Sequence, residues 1–199
     1  YTADYKGVTW NSQALFAHRV DRPCAKQDMA ASLVASHDFV LLQETRSTPA
    51  TLSTWTPPLG TRYFPSHGSS SVGGVGILIK LEFLAHFDPI PDPLPPASDQ
   101  WIEIEKGRCA CLRLSGPHGN LDLCVVYLTT GQARDARDTS RALLARAIRP
   151  ANLSLTILGG DFNYTARKNE RFIRGTTLVH SNTFTNEETS FLHDIAHPF

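Results

Sequence analysis

Asp161 and Asn163 stand two residues apart, just after Gly159 and Gly160, in the stretch SLTILGGDFN at residues 154–163. Ahead of them Leu155, Ile157 and Leu158 make a short apolar run that reads as a buried strand. The two glycines are expected to end that strand and to let the backbone come close to another group. In an extended segment the spacing sends both polar side chains to one face. A carboxylate and an amide converging at a strand terminus suit a metal ion, or a water about to attack. Gly, Asp and Asn are also ordinary turn residues, so this stretch alone leaves both readings open.

Three further strand-like runs end in polar residues. Residues 6–10, KGVTW, lead into Asn11, residues 38–42, DFVLL, run into Gln43-Glu44-Thr45, and residues 121–128 carry Tyr127 near their end. Between the first two lies a helical segment, with Asp21 as N-cap, Pro23 in the first turn, and Met29, Ala30, Leu33 and Val34 as its apolar stripe. Strand, helix and strand of this length make a βαβ crossover. Asn11 and Glu44 then fall at the carboxyl ends of neighbouring strands, where open α/β sheets place their ligands. Taken singly, a strand-end Glu is often a solvated cap, and Tyr127 is more often a core aromatic with a wet hydroxyl.

The remaining elements must hold these ends together. Residues 62–65 and 73–80 read as strands, with a loop between them, and residues 82–87 as a continuation or partner of the second. Residues 89–96 are proline-rich and read as a surface loop. Residues 101–105 and 109–114 alternate around a turn at Lys106-Gly107-Arg108. Residues 134–149 form the clearest amphipathic helix, with Leu143, Leu144, Ala147 and Ile148 on its buried side. Thr185 and Glu188 form a capping box for a last helix carrying Phe191, Leu192 and Ile195. Strands alternating with helices point to mixed sheets covered by helices, an α/β layered domain.

Composition narrows the function classes. The chain has 199 residues and a formal net charge of zero, so any hold on nucleic acid must come from a local patch rather than a global field. No apolar run is long enough to cross a bilayer, and no membrane partner is expected. The cysteines, Cys24, Cys109, Cys111 and Cys124, lack zinc-site spacing and read as buried free thiols.

In chain order, Trp10-Asn11, LLQET at 41–45, GGVGILI at 73–79, VVYL at 125–128 and GGDFN at 159–163 resemble the endonuclease/exonuclease/phosphatase family. That family includes AP endonucleases, pancreatic-type deoxyribonucleases, inositol-polyphosphate 5-phosphatases, neutral sphingomyelinases and deadenylases. The resemblance spans nearly the whole chain, and QET followed by GDFN is specific as a pair. It implies a four-layered α/β sandwich, two mixed β-sheets flanked by helices, and phosphoester hydrolysis dependent on Mg2+, or on Mn2+ in its place. By the same resemblance Glu44 is a metal ligand and Asn11 helps to organise metal and phosphate. Asp161 and Asn163 orient or deprotonate the attacking water and contact the phosphate. Tyr127 occupies a position that is His in the deoxyribonuclease, sphingomyelinase and 5-phosphatase branches and Tyr in the AP-endonuclease and LINE-type retrotransposon branches.

The activity expected is therefore that of a DNA endonuclease, nicking for a non-LTR retrotransposon or acting in repair. DNA is the expected partner, a downstream reverse transcriptase in the same reading frame a further one, and the location intracellular and nuclear. Arg167, Lys168, Arg171 and Arg174 follow the site and are candidates for the DNA backbone. The family's closing Ser-Asp-His strand is not found, since His193-Asp194 has the reverse order. Residues 1–199 are thus expected to be one domain lacking its C-terminal strands and impaired in cleavage. An inositol-phosphate or phospholipid phosphoesterase of the same fold, and a non-catalytic binding fragment, are the alternatives.

Overall fold

The computed structural model describes residues 5–16, 25–95, 98–128 and 134–163. Two four-stranded sheets carry the described chain. The first is built from β1 (Gly7–Asn11), β2 (Phe39–Gln43), β3 (Thr61–Ser66) and β4 (Val75–Lys80), in the order β1-β2-β4-β3. The second is built from β5 (Trp101–Glu105), β6 (Cys109–Gly116), β7 (Gly119–Tyr127) and β8 (Leu155–Asp161), in the order β5-β6-β7-β8. Each sheet contains one parallel pair made by a helical crossover. Helix α1 (Ala25–Ser36) joins β1 to β2, and α4 (Arg134–Ala147) joins β7 to β8. The other neighbours are antiparallel, so both sheets are mixed, as the sequence implied.

Every residue of β2 is buried, and the period of two decides where each side chain goes. Phe39 and Leu41 face inward with Ile77 and Ile79, against Leu112, Leu123 and Val125 of the second sheet. Val40 and Leu42 face outward, toward Ala30 and Val34 of α1. On the opposite side Val126 and Leu128 meet Leu144 and Ile148. The result is four layers, helix on sheet on sheet on helix.

Four local expectations change. Residues 81–84 are neither a continuation of β4 nor a partner to it. They turn into a short helix, α3 (Leu81–Leu84), whose Phe83 plugs the core. A second short helix, α2 (Pro49–Leu52), has the capping box Thr48/Thr51 and Pro in its first turn, signals that a four-residue helix gives too little periodicity to reveal. Met29 lies on the exposed side of α1, while Ala30 and Val34 of the expected stripe are buried and Leu33 packs against them. Gly159 and Gly160 do not end β8, which runs through both to Asp161. The same strand leaves Leu155 exposed, because β8 has only β7 beside it among the described residues. The Asp21 cap, the capping box at Thr185 and the last helix lie outside the described residues.

Candidate active site

The two parallel crossovers bring the carboxyl ends of β1, β2, β7 and β8 to one end of the sandwich. Close approach of the sheets depends on glycine. A Cβ on Gly159 would sit 2.8 Å from the Leu41 side chain, and one on Gly160 would sit 1.9 Å from the Val126 carbonyl oxygen. The group that the sequence left unnamed is therefore the backbone of β7 on one side and the first sheet on the other.

At that end Asn11 donates from Nδ2 to Glu44 Oε1 at 2.8 Å and to Asp161 Oδ2 at 2.8 Å. One amide thus ties together carboxylates that lie 33 and 150 residues from it in the chain. Its orientation is fixed, because Asn11 Oδ1 accepts the Gln13 N–H at 3.1 Å. A flipped amide would turn its oxygen toward two anions and its NH2 toward a donor. The Glu44 and Asp161 oxygens can be no farther apart than those two bonds laid end to end.

Tyr127 pairs with Asp161 in the β7–β8 register. Burial raises its phenol pKa above the ordinary value, and the facing Glu44 carboxylate raises it further, against the opposing effect of Arg108. The Arg108 guanidinium lies 4.9 Å from the centre of the Tyr127 ring, a cation–π approach. The Arg108 carbonyl also accepts the Tyr127 N–H at 2.8 Å. Sequence reasoning treated Arg108 only as a turn residue. Its place directly before β6, opposite the end of β7, was the available signal.

Asn163 does not share an extended face with Asp161. Its φ is +54°, its N–H bonds Asp161 Oδ1 at 3.0 Å, and its amide nitrogen donates to the Leu128 carbonyl. It closes a turn that holds Asp161 and ties β8 back to β7. The basic residues Arg167, Lys168, Arg171 and Arg174 lie outside the described residues.

Backbone conformation marks the same place independently. Among the described residues the non-glycine positions with left-handed φ are Gln13, Ala14, Glu44, Arg46 and Asn163, all on the loops that leave β1, β2 and β8. Such conformations cost free energy and persist where surrounding structure enforces them, which happens at functional sites. Around Glu44, Thr45 N–H bonds Gly74 O, Arg46 N–H bonds Gly73 O, and Ala14 N–H bonds Glu44 O.

The donor set fits a hard divalent cation. Glu44 and Asp161 offer carboxylate oxygens, the ligands that Mg2+ and Mn2+ prefer, and Asn11, whose oxygen is turned to the Gln13 N–H, aims them through its Nδ2. Two anionic groups held together by one neutral amide also leave a deficit of positive charge, which a cation removes. No cluster of three or more His, Cys, Asp or Glu residues able to hold a metal occurs among the described residues, so this chemistry rests on the pair and its amide.

Comparison with known proteins agrees with this architecture. The model of the Endonuclease/Exonuclease/phosphatase family matches residues 8–196. The endonuclease domain of TRAS1, a telomere-specific non-LTR retrotransposon, is similar in structure, with a TM-score of 0.58 at 13% identity over 98% of this chain and 72% of that one. A D. rerio TDP2 humanized by 14 mutations gives 0.55 at 16% identity, over 81% of this chain and 67% of that one. D. rerio TDP2 complexed with a single-strand DNA product gives 0.52 at 16%, over 81% and 61%. The chain thus spans some three fifths to two thirds of the TDP2 chains, and at these identities the likeness is one of fold. No curated protein matches the chain.

Proposed function

The chain belongs to the endonuclease/exonuclease/phosphatase family, a family of phosphoesterases and nucleases whose enzymes generally use divalent metals, and from that premise we propose that it is a Mg2+-dependent DNA endonuclease. The proposed setting is the nucleus, where it nicks DNA for a non-LTR retrotransposon, with a reverse transcriptase as partner in the same reading frame, or in repair. The observation that carries the reading is the Asn11 amide, 2.8 Å from both Glu44 and Asp161.

A phosphodiester is anionic and repels hydroxide. Mg2+ or Mn2+ bound here supplies charge neutralisation at the phosphate and at the oxygens being exchanged. Glu44 would be the principal ligand, through the carboxylate oxygen other than the one that accepts from Asn11. Asn11 sets the direction of both carboxylates. Asp161, turned by Asn11 and by the Asn163 N–H, accepts a hydrogen bond from the attacking water, aligns it and takes its proton. Tyr127 is a protonated phenol at neutral pH, all the more so for the upward shift that burial and Glu44 cause, and donates a hydrogen bond to a phosphate or leaving-group oxygen. Arg108, beside Tyr127, provides positive charge for the phosphate. Asn163 serves this reading by holding Asp161 and lies close enough to the site to border the substrate. Arg167, Lys168, Arg171 and Arg174 are assigned to the DNA backbone on either side.

The phenol at position 127 favours DNA over an inositol phosphate or phospholipid, whose branches carry an imidazole there. Supercoiled plasmid and a phosphoinositide are offered side by side with Mg2+, with EDTA as control. Slow nicking that is lost in Glu44→Ala and in Asp161→Asn is the result expected. Phosphate release from the lipid without nicking assigns the site to phosphoinositides. No turnover, together with Mg2+-dependent thermal stabilisation that Glu44→Ala abolishes, leaves a binding module.

A further inference from the structure

Cys111 on β6 and Cys124 on β7 are directly opposite in the antiparallel register. Their Sγ atoms approach to 2.7 Å, and both residues are buried. Cross-strand neighbours have Cα separations of about 4.5 or 5.5 Å, both inside the range of about 4.4–6.8 Å that a disulfide spans. Bridging therefore asks for no change of register. Cys109, two residues back on the same face of β6, is opposite Val126 instead and has no thiol across from it.

We infer that Cys111 and Cys124 form a cross-strand disulfide when a two-electron oxidant reaches them, a modification site built into the second sheet. With a low-molecular-weight disulfide such as oxidised glutathione, one cysteine thiolate attacks an oxidant sulfur and expels one glutathione thiolate. The second cysteine thiolate then attacks the first cysteine's sulfur and expels the other. Two protons leave the cysteines, two electrons pass to the oxidant, and one S–S bond forms as another breaks. The face carrying the pair is the one covered by α4, which contacts the neighbouring Cys109 and Val126 through Leu144 and Ile148. Local opening of that helix gives access. The Cys124 thiol is held protonated by its hydrogen bond with Cys111 and by burial, so the reaction accelerates as pH rises. Because the bridge joins strands already paired, it tightens the hairpin that delivers Tyr127 without redirecting it.

The test uses the full chain in a Cys24→Ser background, so that the three described thiols remain. The folded protein is treated with oxidised glutathione, and a second sample is refolded in a glutathione redox buffer. Both are then unfolded in N-ethylmaleimide and weighed. Expected are a loss of two mass units and one alkylated cysteine in place of three. Cys109→Ala preserves the loss, and Cys111→Ala abolishes it. The bridged protein melts higher than the reduced one, by about 5 °C. Three alkylated cysteines after both treatments, a bridge that uses Cys109, or a lower melting temperature on bridging would overturn the inference.

Discussion

Replacing Asn11 separates its two tasks, holding the carboxylates together and lowering their repulsion. The Glu44 and Asp161 oxygens each lie 2.8 Å from one nitrogen, whose two protons diverge, so they stand roughly 5 Å apart. At an effective dielectric constant near 20, two unit charges at that distance repel by about 3 kcal/mol. The groups are partly exposed, and screening brings this to about 1–2 kcal/mol. Asn11→Ala removes two charge-assisted hydrogen bonds but admits water to both carboxylates, for a net loss of about 2 kcal/mol without metal. In a chain of this length that lowers Tm by about 4–8 °C. Asn11→Asp replaces the donor with a third anion and loses about 2 kcal/mol more.

Saturating Mg2+ changes the comparison. A cation that binds only the folded state stabilises it by mass action; a third carboxylate adds a hard ligand, Asn11 only aims the other two, and alanine does neither. The rise in Tm from EDTA to Mg2+ should therefore be largest for Asn11→Asp, intermediate for the parent and smallest for Asn11→Ala. Differential scanning calorimetry on the three proteins, with EDTA and with Mg2+, reads all six values. An equal Mg2+ shift in all three, or an Asn11→Asp protein no less stable than Asn11→Ala in EDTA, refutes the electrostatic account of the site.

Gly160→Ala puts a methyl group 1.9 Å from the Val126 carbonyl oxygen, so β8 must separate from β7. Stability should fall by about 3 kcal/mol or more and DNA nicking should disappear, as urea unfolding and the plasmid assay will show; unchanged values would contradict the close approach. Arg149 donates from Nε to the buried Asp122 at 2.9 Å, and Arg149→Ala leaves that carboxylate only the longer approach of Arg113 Nε at 4.0 Å among the described residues, at a cost of about 2–3 kcal/mol, checked by the same unfolding curve. Tyr63 and Tyr127 both have raised phenol pKa values, Tyr63 through burial of its hydroxyl and Tyr127 through burial and Glu44. The unfolded chain loses these protons near pH 10 while the folded chain keeps them, so stability falls as pH rises above 10. Phenolate absorbance of the native protein should show Tyr63 silent at pH 10 and Tyr127 ionising above the ordinary value, and reversible ionisation of every tyrosine at the ordinary value would contradict this. His67 is the opposite case, its pKa lowered mainly by burial. The unfolded chain therefore takes up its proton first on acidification, stability declines as pH drops below 6.5, and His67→Gln should flatten that slope in a pH series of melts.

The strands and crossovers were legible because burial on one or both faces writes itself into the sequence. DFVLL at residues 38–42 is apolar throughout its last four residues because Phe39 and Leu41 enter the core between the sheets while Val40 and Leu42 meet the α1 layer. Asn11, Glu44, Tyr127 and Asp161 were legible as strand-end polar residues, each weak alone, and two parallel crossovers were enough to bring them to one end. What stayed hidden depends on backbone that local sequence does not specify. Glu, Arg, Gln and Ala carry no preference for left-handed φ, yet Glu44, Arg46, Gln13 and Ala14 adopt it, because hydrogen bonds from residues far away in the chain impose it. The DFN stretch shows the same limit. Its spacing suggested two side chains on one extended face, but the Asp161 side chain captures the Asn163 N–H and folds the segment into a turn. A carboxylate that must point at Asn11 needs its own backbone to bend away behind it, and Asn163 is the residue that can bend. The strain at Glu44 and the turn at Asn163 thus have one cause: two acidic groups are held face to face across a boundary between sheets, in an arrangement that neither segment would adopt alone.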